Sequence, residues 1–374
     1  MENKKTLIYI DGNDPNDKRS WSGIPYNLVQ QLKRHYQVET IYMPDTKFEK
    51  IFIHAYKMFW KLLGKNNDPC FTKTYAKMKG RRVTRLLRNK EADIVFLRGS
   101  NLAAYAKTNI PKRVYFSDAC FHQMIDYYFY HLTEANIRDG NEVQRRAMEL
   151  CNINVFASHW ALRDAVDFYH IPEQNCHIGY FGASVDTTEF KRQSHSSDLV
   201  NLLFVGADWK RKGGDIAVEC TKLLNQKDSS RRYILHLVGS NPPYEIKDEN
   251  IKIYGFLNRN VPEQAQKMIH LREQADIFIL PTKAECAGIV FCESSAYGIP
   301  SITFDTGGIG DYVINGENGY RLPMGSTPDD FASKIMEVLA DKGKLSYMQT
   351  KAAQMYQDRM NWDALGDMFK ELFG

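Results

Sequence analysis

The 374 residues are too many for one ordinary core and, at roughly 150 residues per domain, fit two or three. A composition of 43% hydrophobic and 25% charged residues is that of a globular chain and excludes a disordered or low-complexity one. No stretch reaches the ~18 apolar residues of a membrane span. The net charge of +4 is uninformative until it is located: residues 47–90 hold thirteen Lys/Arg against Glu49 and Asp68, an excess of +11, which leaves −7 elsewhere.

In chain order, the first apolar run ends at Asp11-Gly12 and has the length of a strand, too short for a signal-peptide core. "RSWSGIPYNLVQQL" follows, a small-residue turn at Ser22-Gly23 that opens a helix over Tyr26–His35. A strand is expected at Val38–Met43. The segment "KFEKIFIHAYKMFWKLLGK" (47–65) then carries an apolar stripe at helical spacing: Phe48, Ile51, Phe52, Ala55, Phe59, Leu62 and Leu63. Ile53, Tyr56 and Trp60 widen it, and Lys47, Lys50, His54, Lys57 and Lys61 lie mostly on the other side. Two readings fit: a core helix with a solvated basic back, or a helix lying on an anionic membrane. The basic run "KTYAKMKGRRVTRLLRNK" (73–90) comes next.

Further strands are expected at Ile94–Leu97, Val114–Phe116, Ile153–Ala157 and His177–Tyr180, with a helix at Trp160–Tyr169. They read as continuously apolar, as strands buried on both faces do. The hydrophilic "KRQSHSSD" (191–198) reads as a linker. Alternation then restarts, with strands at Leu202–Val205, Ile234–Val238, Ile251–Tyr254, Ile277–Leu280 and Ser301–Phe304. Helices are expected at Asp215–Asn225, Pro262–Gln274, Ile289–Tyr297 and Asp330–Leu339. Two successive β-α series predict an α/β protein of two doubly wound parallel sheets facing a cleft. The expected domains are residues 1–185, residues 198–355 and a C-terminal helix over 356–374 that packs back. The seven cysteines are scattered without a C-x-x-C pair, and no His/carboxylate cluster has metal spacing. Reduced thiols, a cytoplasmic location and no metal are the expectation.

Two stretches carry chemistry. In "AECAGIVFCESS" Gly288 opens a helix whose first N–H groups lack intrahelical partners and suit an anion. Glu293 lies one turn deeper, where a carboxylate can accept from vicinal hydroxyls, and Glu285 stands in the loop before the helix. In "GADWKRKGGD" a strand runs into Lys210, Arg211 and Lys212 and then a glycine pair at a helix start, cations that suit a diphosphate. A P-loop signature is absent, and so is a G-x-G-x-x-G after the first strand, which counts against a nicotinamide dehydrogenase.

With "FDTGGIGDYVINGENGYRLP" and "CHIGYFGASVDTTEF", these stretches resemble the glycogen-synthase-like (group 1) retaining glycosyltransferases, densely over residues 150–325 and thinly before them. The resemblance implies the GT-B fold of two Rossmann-like domains, and transfer of a sugar from a nucleotide diphosphate sugar with retained configuration. By position it implies that Glu293 binds the ribose and Glu285 stands near the donor sugar. Lys212 and Arg211 would meet the diphosphate with the backbone of Gly288, Ile289 and Val290, and Ser22-Gly23 would face it from the other domain. The sequence departs from the family's pattern at Cys286, Ala287 and Ala207, the last leaving Arg211 or Lys210 to supply a charge. Asp118 in "VYFSDACFHQM", with His122 one turn on, stands where many members have a His at the sugar, and Asp311 stands where a Glu is common. No D-x-D occurs, so fixed cations are expected to do the work of a metal. The expected partners are a nucleotide sugar, a glycan, lipid-linked or protein acceptor, and an anionic membrane surface at residues 47–90, with no nucleic acid. A nucleotide-sugar epimerase and a non-catalytic glycosyltransferase-like subunit are the alternatives.

Overall fold

Six short strands build the first sheet: β1 (Thr6–Asp11), β2 (Gln37–Tyr42), β3 (Ile94–Arg98), β4 (Lys112–Ser117), β5 (Ile153–Phe156) and β6 (Cys176–Ile178). All pair in parallel, in the order β2-β1-β3-β4-β5-β6. The computed structural model describes residues 4–18, 20–185 and 198–374, so the expected linker lies outside the described residues except for Asp198. The inner strands are covered on both faces, and Ile10, Val95, Leu97 and Val114 are fully buried. β2 departs from the continuously buried pattern expected of it. It is an edge strand, and its residues alternate between exposed and half-buried.

Helices Ile24–His35, Lys73–Leu87, Glu134–Leu150 and His159–Asp167 belong to this unit, and so does the last helix, Trp362–Phe373. Phe369 sets its ring edge-on against Phe96 and Phe116, with centroids 5.5 and 6.1 Å away. The last helix is therefore part of the first unit's core. The compact units are Met1–Ser184 with Trp362–Gly374, and Val185–Asn361. The boundary expected at 355/356 falls inside a helix, Lys342–Asp358, so the last helix begins only at Trp362.

The second sheet joins β7 (Leu199–Val205), β8 (Arg232–Val238), β9 (Ile251–Gly255), β10 (Ile277–Leu280), β11 (Ser301–Phe304) and β12 (Gly319–Leu322). It is also parallel, in the order β12-β11-β10-β7-β8-β9. In both sheets the chain adds strands on one side of the first strand and then crosses to the other. The reversals fall between β1 and β3 and between β7 and β10. Sheets of this kind bind ligands beyond the carboxyl ends of the strands at such switch points.

Candidate functional site

At the second switch point, β7 runs into a one-turn helix, Trp209–Lys212, capped by Asp208, whose carboxylate accepts from the Arg211 N–H at 3.0 Å. The helix ends at Gly213, where φ is +77°. A Cβ there would lie 2.2 Å from the Pro281 carbonyl oxygen, so only glycine lets this turn press against the loop after β10. The two loops are laced together. The Lys283 N–H donates to the Arg211 carbonyl at 2.8 Å, and Arg211 Nη1 donates to the Ala284 carbonyl at 3.0 Å. This lacing brings Lys212 Nζ onto the Glu285 carboxylate as an ion pair. Lys212 is 9% exposed, so most of the water that would screen the pair is excluded. Lys210 points outward and is exposed.

The loop from Glu285 leads to Gly288, whose φ of +68° caps the helix Ile289–Ala296. A Cβ at Gly288 would fall 2.5 Å from the Phe291 ring. The helix is buried from Phe291 on, Glu293, Ser294 and Ser295 included, while Ile289 and Val290 in its first turn are half-buried. Burial changes the expectation for Glu293. It is 1% exposed, and its two oxygens accept from Arg259 Nη2 and Arg272 Nη2, each at 2.6 Å. Arg272 is itself buried. Desolvation pulls its pKa down and the Glu293 carboxylate pushes it back up. The glycine pair after β11 supports the same loop, with the Gly308 N–H donating to the Glu285 carbonyl at 3.3 Å. Asp311 is half-buried, and its carbonyl accepts from Arg359 at 2.9 Å.

The first switch point is built differently. Asp11, the last residue of β1, is fully buried and accepts from Arg98 Nη2, the Tyr9 hydroxyl and the Asn13 N–H, each at 2.7 Å. Burial alone would lower the Arg98 pKa, but the Asp11 carboxylate outweighs it and the guanidinium is raised, with Asp118 adding to the effect. Trp21 lies over that guanidinium at 4.4 Å and meets Phe181 edge-on at 5.6 Å. Trp21 and Ser22 both have left-handed backbone, φ 44° and 57°, a conformation costing on the order of 1–3 kcal/mol per residue. The turn is pinned by Ser184 Oγ, which donates to the Ser22 carbonyl at 3.0 Å, and by Asn27, which donates to the Gly23 carbonyl at 3.0 Å. Gly23 then caps the helix Ile24–His35, whose first turn carries no acid. Asp118 follows β4 and is half-buried. His122 is held elsewhere: Nδ1 is 2.7 Å from Asp164, and the ring stacks on Phe168 at 3.7 Å.

The structure thus brings together Lys212, Arg211, Glu285, Gly288 and Glu293 within the second unit. Ser22, Gly23 and Asp118 belong to the first. The sequence reading missed Asp11, Trp21 and Arg98, and also Arg259 and Arg272. Asp11 and Arg98 had a usable signal, since each is a charged residue closing an apolar run at the carboxyl end of a strand. The two arginines on Glu293 had none, because they lie 34 and 21 residues away in sequence. Among the described residues no three His, Cys, Asp or Glu side chains gather as a metal ion would need.

Comparison with known proteins bears on this site. Residues 185–355 match the family model for glycosyl transferases group 1. The D-inositol 3-phosphate glycosyltransferase of Corynebacterium aurimucosum is 23% identical over 62% of this chain and 58% of its own length. That of Saccharomonospora viridis is 26% identical over 47% of this chain and 43% of its own. The chain therefore spans about half the length of the curated relatives it matches. Among solved structures, a glycosyltransferase from Rickettsia africae superposes with a TM-score of 0.65 at 14% identity, over 99% of this chain and 98% of its own. Anabaena Alr3699/HepE, solved with UDP and glucose, gives 0.65 at 15% identity, over 98% and 99%. At such identities the superpositions show the fold, which is GT-B. Over its second unit, the chain matches the group 1 glycosyl transferase family.

Proposed function

We propose that the protein is a retaining glycosyltransferase that moves a hexosyl or N-acetylhexosaminyl group from a nucleotide diphosphate sugar to a glycan, lipid-linked or protein acceptor. The Lys212–Glu285 ion pair at the second switch point carries this reading. Breaking the sugar–phosphate bond builds positive charge on the sugar and negative charge on the departing diphosphate. A diphosphate beside Lys212 takes over the ammonium and releases the Glu285 carboxylate toward the sugar, so one pair serves both charges as they grow. Arg211 holds the Ala284 carbonyl and with it the loop that carries Glu285, and the first turn, buried at Gly288 and half-buried at Ile289 and Val290, offers N–H groups to the phosphates.

For the ribose, Glu293 must exchange one guanidinium for hydroxyls. Arg259, whose side chain is 45% exposed, is the one that gives way, while Arg272 at 4% stays. Ser22, Gly23 and Asp118 are the donor-facing residues we assign to the first unit, with Asp118 at the sugar. Fixed cations make the reaction independent of added metal. The enzyme acts in the cytoplasm, against an anionic membrane surface reached through the basic excess of residues 47–90.

A thermal-shift panel of nucleotide sugars on the full chain, followed by product analysis with the best binder, tests this. A glycosylated product of the donor's own anomeric configuration is expected. Epimerised donor, or binding without any turnover of the donor, would overturn it.

A further inference from the structure

Helix Lys47–Leu62 is rich in large apolar residues, yet Glu49 is its one buried residue. At about 100° per residue its side chains fall on three faces. Half-buried Phe52, Ile53, Tyr56 and Trp60 share the face of Glu49, whose carboxylate accepts from Arg82 at 2.6 Å and lies 3.6 Å from Lys79. The second face is apolar and open to solvent: Phe48 is 80% exposed, Ile51 65%, Met58 56%, Phe59 55% and Leu62 81%. The third holds Lys47, Lys50, His54, Lys57 and Lys61, all exposed. Of the two readings the sequence allowed, a core helix with a basic back does not fit, because the apolar stripe is what faces out. Single exposed apolar residues are ordinary, but five large ones in one row mark an interaction site.

We propose that this helix lies flat on an anionic membrane surface, with Phe48, Ile51, Phe59 and Leu62 below the headgroups and Lys50, Lys57 and Lys61 at the level of the phosphates. The proposal rests on the membrane partner inferred above and names the element that inserts. Charge complementarity selects the occupant. The single acid of the helix is turned inward and paired with cations, so the exposed apolar stripe is bordered by lysines and meets no carboxylate of its own helix. A plane of anionic headgroups over hydrocarbon matches both exposed faces at once. A second basic row, Lys77, Arg81, Arg85 and Arg88 with Lys107, lines a cavity of about 470 Å³. It has no apolar stripe beside it on its own helix, so it attracts the surface but does not insert.

Flotation of the full chain with phosphatidylcholine vesicles, with and without phosphatidylglycerol, tests the proposal. Wild type is expected on the anionic vesicles only, and high salt should release it. Changing Ile51, Phe59 and Leu62 together to Ser should lower the bound fraction roughly tenfold or more, with the melting point kept because these side chains already face solvent. Arg81→Glu with Arg85→Glu should weaken binding less. If the triple Ser variant binds as wild type does, the helix does not insert, and the membrane reading survives through the basic row. Wild type that ignores anionic vesicles at low salt would overturn both. A dimer that the triple variant breaks, in a protein indifferent to vesicles, would assign the stripe to a second copy and overturn the proposal as well.

Discussion

At the first switch point the charged side chains close the strands themselves. Asp11 ends β1, Arg98 ends β3, and they are locked on each other beneath Trp21. At the second switch point β7 and β10 end in Val205 and Leu280, and the charges stand beyond the strand ends, Lys212 on a one-turn helix and Glu285 on a loop. The same topology has therefore produced two different objects. A pair fixed on strand ends, with the carboxylate out of contact with water, belongs to the core and cannot change partners without unfolding its surroundings. A pair set beyond the strand ends, with both side chains 11–15% exposed, is placed to exchange one charge for a ligand's. This difference, more than the presence of charge, is why we propose the second as the place of chemistry.

The largest effect that separates them is structural. Arg98→Met leaves the Asp11 carboxylate buried without its cation and should cost the first unit about 3–5 kcal/mol in urea unfolding. Lys212→Met leaves the Glu285 carboxylate, whose side chain is 15% exposed, within reach of water and should cost less, about 1–2 kcal/mol. Equal losses would erase the distinction between the two sites.

A titration distinguishes the units next. His236 on β8, between the Tyr254 hydroxyl at 2.9 Å and Asn201 Oδ1 at 3.1 Å, is pushed down to about 4, by burial first and then by Lys267 and Lys252. Above pH 6.5 the residue is neutral in both folded and unfolded chains, and its neutral contacts contribute in full. As pH falls below 6.5 the unfolded chain binds the proton first, so stability drops until about pH 4, by on the order of 3 kcal/mol in the second unit. His236→Gln should flatten that part of the profile in melts followed between those pH values. A profile that His236→Gln leaves unchanged would refute the assignment.

Kinetics divide the two glutamates. Glu285→Gln should lower kcat roughly a hundredfold with KM near wild type, because a contact that sharpens as charge develops is lost in turnover. Glu293→Gln should raise the donor KM about tenfold with kcat little changed, since a ribose contact is equal in ground and transition states. Small and equal effects from both would remove the donor assignment.

Much of the second unit was legible because its signals are contiguous. "AECAGIVFCES" sets a loop carboxylate, a left-handed glycine and a buried helix within eleven residues, and the strands Ile277–Leu280 and Ser301–Phe304 fall where the apolar runs put them. The burial of Glu293 was not legible, since its arginines come from another helix and the loop before it. In the first unit, helix Lys73–Leu87 was hidden behind its charges. Its inward face includes Lys79 and Gly80, and Lys79 is buried only because Asp45, at 2.7 Å, and Glu49 meet its ammonium. Helix Glu134–Leu150 was missed for a similar reason, with Asn136, Gly140 and Gln144 facing inward. Helix Lys47–Leu62 taught the converse, being strongly apolar in sequence and exposed in the fold. Periodicity tells which residues share a face; it does not tell what covers that face.

The most direct test of the central claim is the release of nucleoside diphosphate from the best-binding nucleotide sugar, followed in excess EDTA for wild type and Lys212→Ala. The account predicts steady release by wild type that the chelator does not change, and a rate more than about a hundredfold lower for the variant, the scale of a lost charge donor in the transition state. Release that stops with EDTA and returns with magnesium, or that is unchanged in Lys212→Ala, would contradict it.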